Sequence, residues 1–438
     1  MKVAIIGTGY VGLVSGTCLA NIGHDVLCID NNKDKIDTLL AGEIPIYEPG
    51  LEELVKKNTA KGRLSFSTDI KDAVKTCEVI FVAVSTPPRP DGSADLCYVE
   101  AVAKEIAENM EDYLIVVSKS TVPVETGKWI KRTIEKYAPK GVDYDVASNP
   151  EFLREGKAID DFSNPDRIVI GVESEKAKEK MLELYAPLKN KTTILVTNIE
   201  SAELIKHASN SFLAMKISYI NAVANVCERT KADIKEVALG MGLDKRIGEH
   251  FLEAGAGFGG SCFPKDLSAF ISISENLGYG FDLLREVQKI NEKQFRIIAD
   301  KVRNAVWNLK GKTIGVLGLA FKPDTDDMRN APAIPIIKQL IEEEASVKAF
   351  DPVAQKNAEK VLPESVRYCA DPYETVAECD VILVMTDWQV FKDLNMEKIK
   401  GLLLDPATLI DARNIYDPAE MKQLGFNYTG VGRGIERE

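Results

Sequence analysis

Short runs of aliphatic and β-branched residues alternate with longer amphipathic stretches through the first half of the chain, the pattern of strands covered on both faces by crossover helices. Val3–Ile6, Asp25–Ile29, Val79–Val84, Leu114–Val117 and Asp145–Ser148 are the strand-like runs. The segments between them are long enough for helices, which predicts a parallel, doubly wound sheet. From Ser201 the period changes: SAELIKHASNSFLAMKISYINAVANVCERT runs for 30 residues without glycine or proline, about 45 Å of helix. Leu204, Leu213, Ile217, Ile220 and Val223 recur at spacings of three and four while other small and apolar residues fall off that stripe. A helix of this kind is expected to bury more than one face, between domains and partly against another subunit. The glycine-rich GAGFGGSCFPKD then stops regular structure. After Lys310 the alternation restarts with KTIGVLGLA, ASVKAFDP, CDVILVMT and TLIDARN, in the same order of strand, glycine turn, helix, strand and acid that opens the chain. The expectation is an α/β protein with two Rossmann-like doubly wound domains joined by a long central helix. Its parts are residues 1–199, a helical central region 200–310 carrying the cysteine loop, and residues 311–438.

Lys and Arg number 55 against 67 Asp and Glu, a net charge of −12, so a nucleic-acid partner is not expected. The strongest apolar runs, Val79–Val84 and Val381–Met385, are strand-sized, far below the roughly 18 residues of a membrane helix. Glycines interrupt MKVAIIGTGYVG before a signal-peptide core could form. Cys18, Cys28, Cys77, Cys97, Cys227, Cys262, Cys369 and Cys379 contain no CxxC pair, which reads as reduced thiols in a soluble cytoplasmic protein. His24, His207 and His250 lack ligand spacing, which points away from a zinc site.

Gly7-Thr8-Gly9-Tyr10-Val11-Gly12 follows a strand and opens a helix. In such a turn the first glycine permits the bend, the second admits a pyrophosphate and the third lets helix pack on strand. Asp30 ends the second strand 18 residues past Gly12, where a carboxylate accepts from ribose hydroxyls and repels a 2′-phosphate, favouring NAD over NADP. Gly315-Val316-Leu317-Gly318 is a degraded copy with Asp351 at the next strand end and Lys322 beside it, either a structural turn or a phosphate seat.

Gly259-Gly260-Ser261-Cys262-Phe263-Pro264-Lys265-Asp266 places a thiol between glycines and a charged pair. Cys262 alone of the eight cysteines has this access, and it is the candidate nucleophile. Lys206 and Asn210 share a helix face, where they can stabilise an oxyanion, although a solvated face is the simpler reading of the pattern alone. His207 points elsewhere and reads as a packing or hydrogen-bonding residue. Glu151, in NPEFLREG after the strand at 145–148, is an acid/base candidate, and Thr86 and Thr121 follow their own strands on the same rim.

Together with GTGYVG, the segments STPP, KSTVPVETG, NPEFLREGKAIDDFSNPDRIVIG, ELIKHASNSFLAMKISYINA, GFGGSCFPKD, GLAFKPDTDDMR and DARN make the chain resemble the nucleotide-sugar dehydrogenases of the UDP-glucose/GDP-mannose dehydrogenase family. The resemblance covers essentially the whole chain. It implies NAD-dependent oxidation of UDP-glucose at C6 to UDP-glucuronate through a cysteine thiohemiacetal and thioester. Cys262 would be the nucleophile, Lys206 and Asn210 oxyanion stabilisers, Asp266 and Thr121 helpers of water or proton transfer, and Glu151 a further acid/base group. Gly7, Gly9, Tyr10, Val11, Gly12, Asp30, Lys35, Thr86, Glu155, Lys265 and Arg329 match cofactor contacts. Phe152, Leu153, Lys206, Asn210, Phe258, Gly259, Lys322 and Arg413 match substrate contacts. Arg246 matches an arginine that reaches into a neighbouring subunit, which implies a homodimer or higher homo-oligomer. GDP-mannose or a UDP-N-acetyl-hexosamine as substrate, or a non-catalytic nucleotide-sugar sensor, are the alternatives.

Overall fold

A computed structural model describes residues 1–433. Contacts divide the chain into two compact units, one of Met1–Ser209 with Ser268–Tyr279, the other of Asn210–Leu267 with the residues from Gly280 on.

The first unit holds eight strands: β1 (Lys2–Ile6), β2 (Asp25–Ile29), β3 (Leu64–Ser67), β4 (Val79–Val82), β5 (Leu114–Ser118), β6 (Tyr144–Ser148), β7 (Arg167–Gly171) and β8 (Thr193–Thr197). They lie in the order β3-β2-β1-β4-β5-β6-β7-β8. All neighbours are parallel except β6 and β7, which meet antiparallel at Ser148 and Gly171. The apolar run KVAII needs no polar alternation because both faces are covered: Val3 and Ile5 pack into one core with Leu13 and Phe81, Ala4 and Ile6 into the opposite one with Ile106 and Ile134. The order reverses between β1 and β4, which opens a crevice at their C-terminal ends.

The second unit repeats the plan with β9 (Thr313–Leu317), β10 (Ser346–Phe350), β11 (Arg367–Tyr368), β12 (Val381–Val384), β13 (Thr408–Asp411) and β14 (Asn427–Gly430), ordered β11-β10-β9-β12-β13-β14. Ile314 and Val316 face one core, Leu317, Ile382 and Val384 the other. The long helix spans Ile199–Cys227, 29 residues, beginning two residues before the expected start and ending three before the expected end. It begins in the first unit and continues into the second. No helix among the described residues is long and apolar enough to cross a membrane. All eight cysteines stand outside disulfides.

Candidate active site

The glycine turn after β1 divides its work as the spacing predicts. Gly7 has φ +103°, and a Cβ there would lie 2.5 Å from the Ala83 carbonyl oxygen. A Cβ on Gly12 would lie 1.8 Å from the Gly7 oxygen, so only glycine lets helix Tyr10–Asn21 sit on its strand. At Gly9 a Cβ would meet nothing within 4 Å, and this residue caps the helix without a side-chain hydrogen bond. Uncapped amides beside open space are what a pyrophosphate takes, so the residues present fit a dinucleotide.

Asp30, buried to 8% exposure, accepts from Thr8 N at 2.9 Å and Thr8 Oγ1 at 2.8 Å through Oδ2, and from Asn32 N at 3.0 Å through Oδ1. Lys35 Nζ stands 3.6 Å from Oδ2. Burial works against the charge, but the hydrogen bonds and Lys35 outweigh it and hold the carboxyl below its ordinary range. An ionised acid at this strand end accepts from a ribose diol and repels a phosphate. Tyr10 directs its hydroxyl at Glu48.

On the rim beyond β4, β5 and β6, Thr86 Oγ1 donates to the Thr121 carbonyl at 3.0 Å and so ties two of the predicted residues together. Glu151 Oε1 accepts from Lys206 Nζ at 2.9 Å, and its Oε2 from Leu153 N at 2.6 Å. The Phe152 ring lies under two cations, Arg167 at 3.8 Å and Lys206 at 5.4 Å from its centroid. Leu153 packs against the core of its unit, and Glu155 and Gly156 form the turn of the same segment. The helix face carrying Lys206 is therefore not solvated, as the pattern alone suggested. Lys206 is 4% exposed and Asn210 7%, because tertiary partners cover the face.

Three buried groups here were not singled out as site residues from sequence. Lys119, which follows β5 in register with Asn149 after β6, donates to Asn149 Oδ1 at 3.0 Å. Burial pushes its ammonium down to about 8, with Glu151 pulling upward and Lys206 adding to the fall. Glu203 accepts from Glu125 N at 2.7 Å and Gly127 N at 2.8 Å, holding the start of helix Thr126–Tyr137. Its carboxyl is pushed up to about 7, mainly by burial. His207 places Nε2 2.8 Å from the Val122 carbonyl oxygen, the hydrogen-bonding role expected of it. Lys119 had a signal, a lysine at the C-terminal end of a buried strand; Glu203 had none.

In the second unit, Asn210 Nδ2 donates to Asp266 Oδ2 at 2.6 Å, and Lys265 Nζ to Asp266 Oδ1 at 2.7 Å. Asp266 is 1% exposed. Its amide donates to the Cys262 carbonyl at 2.8 Å, so the half-buried thiol stands one helical turn before the carboxylate. The loop before it is fixed by backbone contacts. Asn291 bonds both the amide and the carbonyl of Phe258, at 2.8 and 3.0 Å. A Cβ on Gly259 would lie 2.3 Å from the Asn330 oxygen, and one on Gly260 2.8 Å from the Phe321 ring. Arg329 supplies the carbonyl that accepts from Gly260 N at 2.9 Å, while its guanidinium pairs with Asp327.

The degraded glycine turn is resolved by Asp351. Its Oδ2 accepts from Leu319 N at 2.8 Å and Ala320 N at 3.2 Å, its Oδ1 from Val353 N at 3.0 Å and Ala354 N at 2.9 Å. Four backbone donors make it a structural acid rather than a ribose acceptor. Cations gather at the switch point instead: Arg413 donates to Met385 O at 2.8 Å beyond β12 and to Phe321 O at 2.7 Å beyond β9, next to Lys322. Arg246 stands apart, 89% exposed and paired with Asp244.

A glycine turn fitted to a dinucleotide, an ionised acid at the next strand end and a cysteine beside a buried Asn–Asp pair are the features of an NAD-binding dehydrogenase. The chain belongs to the UDP-glucose/GDP-mannose dehydrogenase family: residues 1–189 match its NAD binding domain, 200–293 its central domain and 315–418 its UDP binding domain. It is 50% identical over 436 residues to UDP-glucose 6-dehydrogenase TuaD of Bacillus subtilis, covering 100% of this chain and 94% of that protein. It is 47% identical to UDP-glucose 6-dehydrogenase of Rhizobium meliloti, over 99% and 100%. The solved UDP-glucose dehydrogenase of Pyrobaculum islandicum superposes with a TM-score of 0.91 at 40% identity, over 99% of this chain and 98% of that one.

Proposed function

We propose that the chain oxidises UDP-glucose at C6 to UDP-glucuronate, with residues 1–199 holding NAD, 311–438 the uridine diphosphate and 200–310 the thiol loop and the subunit contact. The observation that carries this reading is Cys262 one turn before Asp266, itself held by Asn210, in a chain whose full-length relatives are named for UDP-glucose.

Bound NAD⁺ supplies the hydride acceptor for both oxidations. Lys206 and Asn210, four residues apart and so on one helix face, stabilise negative charge developing on the C6 oxygen. The aldehyde arises by loss of the C6 hydroxyl proton and the first hydride. Cys262 Sγ attacks the aldehyde carbon; a C–S bond forms and the thiol proton passes to the oxygen. Loss of the second hydride from that carbon, with the hydroxyl proton leaving its oxygen, turns the thiohemiacetal into a thioester. Water, oriented by Asp266 with Thr121 assisting proton transfer, adds to it; the C–S bond breaks, the thiol is restored and the carboxylate departs with release of a proton. Glu151, paired with Lys206, is the further acid/base group. The cations of Lys322 and Arg413 serve the diphosphate, and Phe152, Leu153, Phe258 and Gly259 the sugar nucleotide. Thr86, Glu155, Lys265 and Arg329 join the glycine turn, Asp30 and Lys35 around the cofactor.

The enzyme acts as a homodimer or higher homo-oligomer in the cytoplasm. Phe212, Tyr219 and Val226, seven residues apart on the long helix, are 56%, 55% and 60% exposed, an apolar seam that a second copy would cover. Arg246, exposed and paired with Asp244, is the residue that would reach into the partner's site.

NADH formed per sugar, with limiting UDP-glucose, GDP-mannose or UDP-N-acetylmannosamine and excess NAD⁺, tests the reading. Two NADH per UDP-glucose and little from the others is expected. Two from another sugar would overturn the substrate; one per sugar would overturn the thioester; none from any would favour a sensor.

A further inference from the structure

We propose that Glu48 is a positioning residue that locks the dinucleotide turn to the loop carrying Phe152 and Leu153, so that cofactor and sugar sites are set together. This rests on the reading of that loop as a substrate contact. The Glu48 carboxylate is 7% exposed and is met by three donors from two distant segments. Its Oε2 accepts from the Tyr10 hydroxyl, inside the glycine turn, and from Gly156 N at 2.6 Å. Its Oε1 accepts from Ala158 N at 2.7 Å. Gly156 N also lies 3.2 Å from the Tyr10 oxygen, closing a triangle.

The surrounding backbone serves this arrangement. Gly156 has φ +81°, a conformation that glycine adopts without strain and that aims its amide at the carboxylate. Gly50, two residues after Glu48 at φ +78°, lies where a Cβ would be 3.7 Å from Ile159 Cδ1, so the Glu48 loop also packs on the far end of the substrate segment. A buried carboxylate is stable only when its lone pairs are met, and bonds to a charged acceptor are about twice as strong as neutral ones. A glutamine keeps one acceptor and turns the other into a donor facing an amide N–H. Movement of Tyr10 as the cofactor seats is thereby felt at Gly156, five residues after Glu151.

The test is calorimetric titration of the full-length protein with UDP-glucose alone and with NAD⁺ alone. The proteins are wild type, Tyr10→Phe, Glu48→Gln, the double variant and Phe152→Ala. Tyr10→Phe, with an unchanged melting temperature, is expected to weaken UDP-glucose about five-fold although it lies in the dinucleotide turn. Glu48→Gln should weaken both ligands by at least that factor, and the double variant should be no worse than Glu48→Gln. Unchanged UDP-glucose affinity in Tyr10→Phe where Phe152→Ala does weaken it, or additive effects in the double variant, overturns the lock. If Glu48→Gln does not fold, Tyr10→Phe decides alone. A silent Phe152→Ala would remove the substrate role of its loop, while non-additive NAD⁺ affinities between Tyr10 and Glu48 would still uphold the lock.

Discussion

Lys206 Nζ lies 2.9 Å from Glu151 Oε1, and both side chains are only 5% exposed. A pair buried this deeply is costly to assemble and costly to break, because either partner left alone is an uncompensated charge. Its place beside the Phe152 ring, at the C-terminal rim of a parallel sheet, is what the proposed roles in proton transfer and charge stabilisation require.

Replacing Lys206 with methionine is expected to lower turnover about 100-fold or more through loss of oxyanion stabilisation. It should also lower unfolding stability by about 3 kcal/mol, because Glu151 loses its partner. Steady-state NADH production and urea titration read the two effects; undiminished turnover would remove Lys206 from the chemistry.

Cys262→Ala is expected to abolish conversion to the acid while NAD⁺ affinity stays within about two-fold, since the thiol joins the chemistry and is no part of the dinucleotide turn. Product analysis by mass spectrometry and a cofactor titration check this. Continued formation of UDP-glucuronate would exclude a thioester on this residue.

For Asp30→Ala the expected loss is NAD⁺ affinity, by about 1.5–3 kcal/mol, the worth of a charge-assisted hydrogen bond. The Thr8 contacts vanish with the carboxylate, which loosens the same turn. An unaltered dissociation constant would move the ribose elsewhere.

Glu203 gives a pH signature. Burial, opposed by the Gly127 and Glu125 amides and reinforced by the charges of Glu200 and Glu125, pushes its carboxyl up to about 7; Lys128 faces both of those acids. A folded-state value above the ordinary one means the folded protein holds this proton more tightly than the unfolded chain. The contribution to stability is full below the ordinary carboxylate range and is lost as pH rises through about 7. Glu203→Gln lacks that loss, so its stability relative to wild type should rise by on the order of 3 kcal/mol between pH 4 and pH 8. Denaturant titrations at several pH values test it; parallel profiles for the two proteins would mean the Glu203 carboxyl binds its proton equally well in the folded and unfolded chains.

The strands most legible in the first half of the chain are β1, β2, β4, β5 and β6, whose mostly buried apolar residues reflect cover on both faces. Those not anticipated lack such runs or such cover: β3 is the four-residue LSFS, β8 is an edge strand with a partly exposed face, β11 has two residues and β14 is NYTG. β7, RIVIG, has the apolar run and was overlooked as a strand. Asp351 and Asp30 occupy equivalent places in the chain pattern, yet four backbone donors saturate Asp351. The glycine turn before each acid, intact for Asp30 and degraded for Asp351, is the one local difference, and it does not show the saturation of Asp351.

The sequence by itself determined the two doubly wound sheets, the glycine turn with its acid, the long helix and the cysteine loop, because spacing and periodicity act over a few residues. Only the tertiary structure decided that the Lys206–Asn210 face is buried, that Lys119 and Glu203 are shifted toward neutrality, and that Glu48 joins Tyr10 to Gly156. Each depends on groups tens to more than a hundred residues apart in the chain, whose desolvation and hydrogen bonding exist only once the sheets have packed.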